Sequence, residues 1–253
     1  MKTLTDQKHF SLYILLLSIV FFQSIFLSLL NQYNIYGDMN DIVIDNFENS
    51  YNISDSWLTR KASKEELLKI YSIVSEKDNN YLHAVSKKTS IQIAKKVKWK
   101  LDSYPILTWR WRVLQLPKGA NENMKSKNDS AAGIYVIFKR TDIPFLSWKY
   151  QPINVIKYVW SSSLSKGKII KKKKEKFGSI IYEGRFLILE TGEELLGKWV
   201  TEKRNVLQDY KDLFGEFPKY DPILIGILTD SNNTKSSAIS DYDDMIIKKL
   251  SKE

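Results

Sequence analysis

Residues 104–113 read YPILTWRWRV. Apolar side chains stand at Leu107, Trp109, Trp111 and Val113, and polar ones between them at Thr108, Arg110 and Arg112. A period of two is the spacing of a β-strand, whose successive side chains point to opposite faces. A helix would scatter the same residues around its axis. The stretch therefore predicts a strand that buries its tryptophans between two sheets and turns its arginines to the solvent side. The tryptophans read as structural, and the arginines call for a partner.

The same short period continues in both directions. DIVIDNFENS (41–50), TSIQIAKKVKW (89–99), AAGIYVIFK (131–139), INVIKYVWSSS (153–163), IYEGRFLILE (181–190), GKWVTEKRN (197–205), PILIGILTD (222–230) and SDYDDMIIKKL (240–250) all read as strands. YSIVSEKDNNYLHAVS (71–86) reads as strand, turn and strand, with the turn at Asp78-Asn79-Asn80. Ser63 with Glu66 forms a capping box for a short helix. In NVLQDYKDLFG (205–215) the period changes: Val206, Tyr210, Leu213 and Phe214 recur at helical spacing, and Gly215 takes the place of a C-terminal cap. KGKIIKKKKEKFG (166–178) reads as a basic loop or hairpin tip. Many short strands with one or two small helices predict a mainly β fold, an antiparallel jelly-roll β-sandwich over residues 41–250.

The N-terminus is different. FSLYILLLSIVFFQSIFLSLL (10–30) carries no charge, and as a helix it would span roughly 31 Å, one bilayer core. Lys2 and Lys8 precede it, and no Lys or Arg follows until Arg60. The asymmetry predicts a short cytoplasmic N-terminus (1–9), an uncleaved transmembrane signal anchor (10–30), a linker (31–40) and a body outside the cytoplasm. In a two-membrane cell that is an inner-membrane, single-pass protein facing the periplasm. The alternative is secretion after cleavage of a signal peptide.

Composition closes several routes. The 253 residues include no cysteine, which removes disulfides, thiolate catalysis and cysteine-bound zinc. Neither phosphate-cradling glycine motif is present. His83 is the one histidine of the body and reads as an ordinary packed or surface imidazole. Asp230–Asp241 fails as an EF-hand because Lys235 stands where glycine is required, and it reads as a structural turn. The net charge of +10 reads first as composition, since the chain is rich in Lys, Ile and Asn throughout; as a functional signal it suits anionic lipid or acidic polysaccharide, and a body outside the cytoplasm argues against nucleic acid. The run Lys171–Lys174 is either a solvated tip or a contact to such a polyanion.

If Arg110 and Arg112 face outward, Tyr135, Tyr158 and Trp160 on other strands are candidates to line the same face. Rings stack on sugar faces and guanidiniums donate to hydroxyls and carboxylates, so this set is a candidate carbohydrate groove. The other reading is that these residues pack beneath a loop or the 205–214 helix. Arg204 and Asp209 pair with each other or with ligand.

Five stretches in order, YPILTWRWRVLQLPKGA, KYVWSSS, GKWVTEKRNVLQDYKDLFG, ILTDSNNT and DYDDM, together resemble a bacterial family of exported proteins, the domain of unknown function 3047, over about residues 41–248. The first and last strands, with VIDNFEN and DYDDM, are also similar to those of galactose-binding-like jelly rolls. That second resemblance implies carbohydrate binding and a structural calcium held between these strands by Asp45, Glu48, Asp243 and Asp244. The expectation is a membrane-anchored carbohydrate-binding sandwich with contacts at Arg110, Arg112, Tyr135, Trp160, Arg204 and Asp209, its ligand an acidic envelope polysaccharide. A glycan hydrolase or lyase in the same groove, or an envelope scaffold, are the alternatives.

Overall fold

The computed structural model describes residues 41–49, 52–59, 62–144, 146 and 150–250. The anchor 10–30, the tail 1–9 and the linker 31–40 lie outside the described residues. Among the described residues no helix is long and apolar enough to cross a membrane. Residues from Ile42 onward form one compact unit.

The chain is mainly β. Its strands are β1 (Ile42–Asp45), β2 (Leu58–Thr59), β3 (Tyr71–Glu76), β4 (Asn79–Lys87), β5 (Ile93–Lys96), β6 (Ile106–Gln115), β7 (Ala132–Lys139), β8 (Ile153–Ser161), β9 (Ile169–Lys176), β10 (Ser179–Thr191), β11 (Val200–Asn205), β12 (Pro222–Leu228) and β13 (Ser237–Lys248). Two helices accompany them, α1 (Lys64–Leu68) and α2 (Val206–Phe214). One sheet runs β11-β6-β13-β4-β3, with β1 beside β13; the other runs β2-β5-β12-β7-β8-β10-β9. The first and last strands are thus neighbours, as their sequences suggest. The expectation of a wholly antiparallel sandwich is corrected at one place, because β8 and β10 run parallel.

The opening stretch is β6. Leu107, Trp109, Trp111 and Val113 are buried, while Thr108, Arg110 and Arg112 lie on the outer face. Trp109 packs against Tyr158 of the facing sheet with ring centroids 5.2 Å apart, and Trp111 meets Trp160 at 6.0 Å. Such offset and edge contacts add about 0.5–1.5 kcal/mol each to the burial of large rings. Trp160 is 0 % exposed, so its expected place on the arginine face is corrected: it belongs to the core between the sheets. The sequence misleads here because β8 is buried on both faces, and its alternation does not say which set points toward the other sheet.

Local signals set the ends of elements. The Ser63–Glu66 capping box is present at α1. Asn205 Oδ1 accepts the Gln208 N–H at 3.0 Å to start α2, and Gly215, at φ +84°, ends it in the left-handed region. The β3–β4 turn falls at Lys77-Asp78, overlapping the expected turn at Asp78, with Lys77 at φ +58°. The lysine run is not a loop: Lys171–Lys174 lie in β9, at the edge of the seven-stranded sheet.

Candidate functional site

The expected site residues fall in four places. Arg110 and Arg112 stand on the outer face of the six-stranded sheet, and that face accounts for them. On β13, Asp243 lies directly across from Arg110 and Asp241 across from Arg112. Arg110 Nη2 donates to Asp243 Oδ2 at 2.6 Å, and Arg112 Nε to Asp241 Oδ2 at 2.7 Å. Asp241 also meets His83 Nδ1 at 2.6 Å. The Trp199 ring receives both guanidiniums, Arg110 at 4.9 Å and Arg112 at 4.7 Å. Opposite charges facing across strands are the unit of sheet stabilisation, and both aspartates are buried. Burial pushes the Asp243 carboxyl up, and the hydrogen bonds from Asn79 and Arg110 pull against that rise.

Arg204 and Asp209 pair with each other. Arg204 Nε donates to Asp209 Oδ2 at 2.9 Å, with a second bond from Nη2 to Oδ1. Tyr158 donates its hydroxyl to the same Oδ2 at 2.7 Å. The bidentate pair clips α2 to β11.

The four proposed calcium ligands do not fit that ion, which needs six to eight oxygen ligands. Asp45 accepts from Phe47 N, Trp57 Nε1 and Lys95 Nζ. Glu48 accepts from Asn80 N. Asp243 accepts from Asn79, Arg110 and Asp244 N, and Asp244 pairs with Arg110 Nε at 2.8 Å. Cations or N–H groups already hold at least one oxygen of each of these four carboxylates. Among the described residues no group of three or more histidines or carboxylates is placed to hold a metal ion.

Tyr135 leads elsewhere, to the outer face of the seven-stranded sheet. There Tyr135 of β7, Val155 and Lys157 of β8 and Tyr182 and Phe186 of β10 line a cleft of about 510 Å³. Lys174 stands on its β9 side and Asp230 at its β12 end. Two glycines shape the floor. A Cβ on Gly133 would come 2.5 Å from Lys157 Cε, and one on Gly184 would strike the Tyr182 hydroxyl. Glycine inside a strand marks such close approach.

Lys157 is 2 % exposed. Its ammonium donates to Ser130 Oγ at 2.5 Å and lies 5.1 Å from the Tyr135 ring centroid and 5.2 Å from that of Phe186. Burial lowers its pKa; Asp230, Glu122 and Asp129 oppose the drop. Burial raises the Asp230 carboxyl to about 7, with Lys157 pulling it down and Asp129 pushing it up. Asp129 in turn holds the 230–234 loop, accepting from Asn233 N at 3.0 Å and Thr234 N at 2.7 Å. Lys172 is lowered by burial first and by repulsion from Lys157 second. The cleft therefore combines ring faces, a buried amine and a cationic rim. Of its members the sequence reading names Tyr135 as a groove residue, Lys174 only within a run offered as a polyanion contact, and Asp230 only as the start of a turn. The signals for the rest were a single lysine inside the apolar strand INVIKYVW and glycines inside strands.

A search of curated proteins finds no match to the chain. Among solved structures, the family 11 carbohydrate-binding module of the cellulosomal cellulase Lic26A-Cel5E of Clostridium thermocellum is similar at 11 % identity and a TM-score of 0.45, over 85 % of this chain and 98 % of that one. The xyloglucanase domain of NopAA from Sinorhizobium fredii, in complex with cellobiose, is similar at 9 % identity and a TM-score of 0.39, over 78 % of this chain and 95 % of that one. The native family 12 xyloglucanase from Bacillus licheniformis follows at 8 % and 0.40, over 84 % and 98 %. A family model described as protein of unknown function (DUF3047) matches residues 55–246, and the chain belongs to that family.

Proposed function

We propose that the protein binds carbohydrate in the cleft on the outer face of its seven-stranded sheet, and that the ligand is an acidic glycan. One observation carries the reading: a preformed cleft of about 510 Å³ sets the Tyr135, Tyr182 and Phe186 rings beside a buried ammonium. Ligand sites are concave and mostly apolar, with a few placed polar groups. The half-buried Tyr182 ring supplies the face for sugar C–H groups, and the buried Tyr135 and Phe186 rings back it and hold the Lys157 ammonium. Lys174 and Lys172 on β9 supply the charge that favours a carboxylated sugar over a neutral one. Asp230 is the one carboxylate among the described residues that line the cleft. Two-carboxylate hydrolysis needs a second, so binding is the reading this lining supports. A glycan array probed with the full chain tests it. Signal is expected on uronic-acid glycans above neutral ones, and an array with no glycan signal overturns the proposal.

The proposal includes place. An uncharged 10–30 segment with lysines before it and acidic residues after it supports an anchored body outside the cytoplasm. Alkaline phosphatase fused after residue 40 is expected to be active in a two-membrane bacterial host. Activity only in a cytoplasmic reporter fused at the same point contradicts this placement.

A further inference from the structure

The β9–β10 hairpin turns on two residues, Phe177 and Gly178, at φ +51° and φ +74°. Lys176 and Ser179 pair on either side. Two consecutive positive-φ residues make a primed turn, whose first position suits asparagine, aspartate or glycine. A phenylalanine there carries backbone strain, because its Cβ crowds the carbonyl in the left-handed region. Burial does not offset the strain, since Phe177 is 94 % exposed. Its ring has the Lys176 ammonium 5.1 Å from the centroid. Strain of this kind clusters at functional sites; among the described non-glycine residues at positive φ, Phe177 is the one exposed ring, Phe47 being buried, which points to a function.

The surroundings indicate what that is. Lys168, Lys171, Lys173, Lys174 and Lys176 are exposed along the same edge. The acid within β9, Glu175, is bridged by Lys173 at 2.6 Å. Lysines on an edge strand also guard against pairing with another sheet, so they carry nothing by themselves. Edge protection does not call for an exposed ring at the tip. A ring at the apex with ammonium groups set behind it matches a bilayer boundary: the ring enters the headgroup layer, and the long stems deliver their charges to lipid phosphates.

We propose that the β9–β10 hairpin is a membrane-contact element that seats Phe177 in an anionic lipid surface under a collar of lysines. The test places one cysteine at Ser179 of the otherwise cysteine-free full chain and labels it with an environment-sensitive fluorophore. The protein is reconstituted in nanodiscs of phosphatidylcholine, with or without phosphatidylglycerol. The expected result is a blue shift, with quenching by doxyl-labelled lipid, in the anionic discs. Phe177→Asn removes both while holding or raising the melting temperature, because asparagine accepts the left-handed backbone. Changing Lys171, Lys173, Lys174 and Lys176 together to glutamine returns the emission to its neutral-disc value. Emission that is the same in both discs, or unmoved by Phe177→Asn, overturns the proposal.

Discussion

Arg110→Ala lowers the stability of the folded chain by about 3 kcal/mol, the scale of breaking a buried ion pair from one side. Asp243 is 0 % exposed, and removing the guanidinium leaves its carboxylate with the Asn79 amide and the Asp244 N–H. The variant also strips Trp199 of one of its two stacked cations. Asp243→Asn in the same chain removes the stranded charge and returns part of the loss. Urea unfolding of the wild type, both single variants and the double variant closes a cycle, with an expected coupling of about 1–3 kcal/mol. A loss below about 0.5 kcal/mol, within the range of ordinary surface substitutions, would show that the ion pair contributes nothing and leave the arginine without a structural reason.

The second large effect is one of pH. Burial raises Asp230 to about 7, and burial followed by repulsion from Glu190 raises Glu202 to about 7. In the unfolded chain the two groups release their protons near pH 4. Between those values the native state binds more protons than the unfolded one, so stability falls as pH rises. The contribution is whole below about pH 4 and is lost as pH climbs through about 7. At about 1.4 kcal/mol per pH unit, Asp230 alone accounts for roughly 2–4 kcal/mol. Asp230→Asn, neutral throughout, is expected to match the wild type at low pH and to exceed it in slightly alkaline buffer. Unfolding midpoints of the two proteins across the range check this, and parallel curves would contradict it.

The sandwich was legible because its strands alternate. β6 shows its inner and outer faces in ten residues, and α2 shows a helical period between an asparagine cap and a glycine stop. The arginines of β6 were legible as outward-facing. Their partners were not, because Asp241 and Asp243 meet them only through the β6–β13 register, a pairing of distant segments. The cleft was harder still. Lys157 looks like the polar side of an amphipathic strand, yet it is buried, since the outer face of β8 is the floor of a cleft rather than open surface. Trp160 was misplaced for the same reason: with both faces of the strand covered, either parity of the alternation would serve.

Binding in that cleft is tested most directly by titration calorimetry of the full chain with a uronic-acid oligosaccharide, wild type against Tyr182→Ala. Tyr182 lines the cleft and its ring lies over Gly184. The account predicts measurable binding by the wild type, weaker binding of the neutral oligosaccharide, and a loss of about tenfold or more in Tyr182→Ala, equivalent to about 1.4 kcal/mol, read at a temperature where both proteins are folded. Equal affinity in the two proteins, or no heat of binding from either, would contradict it.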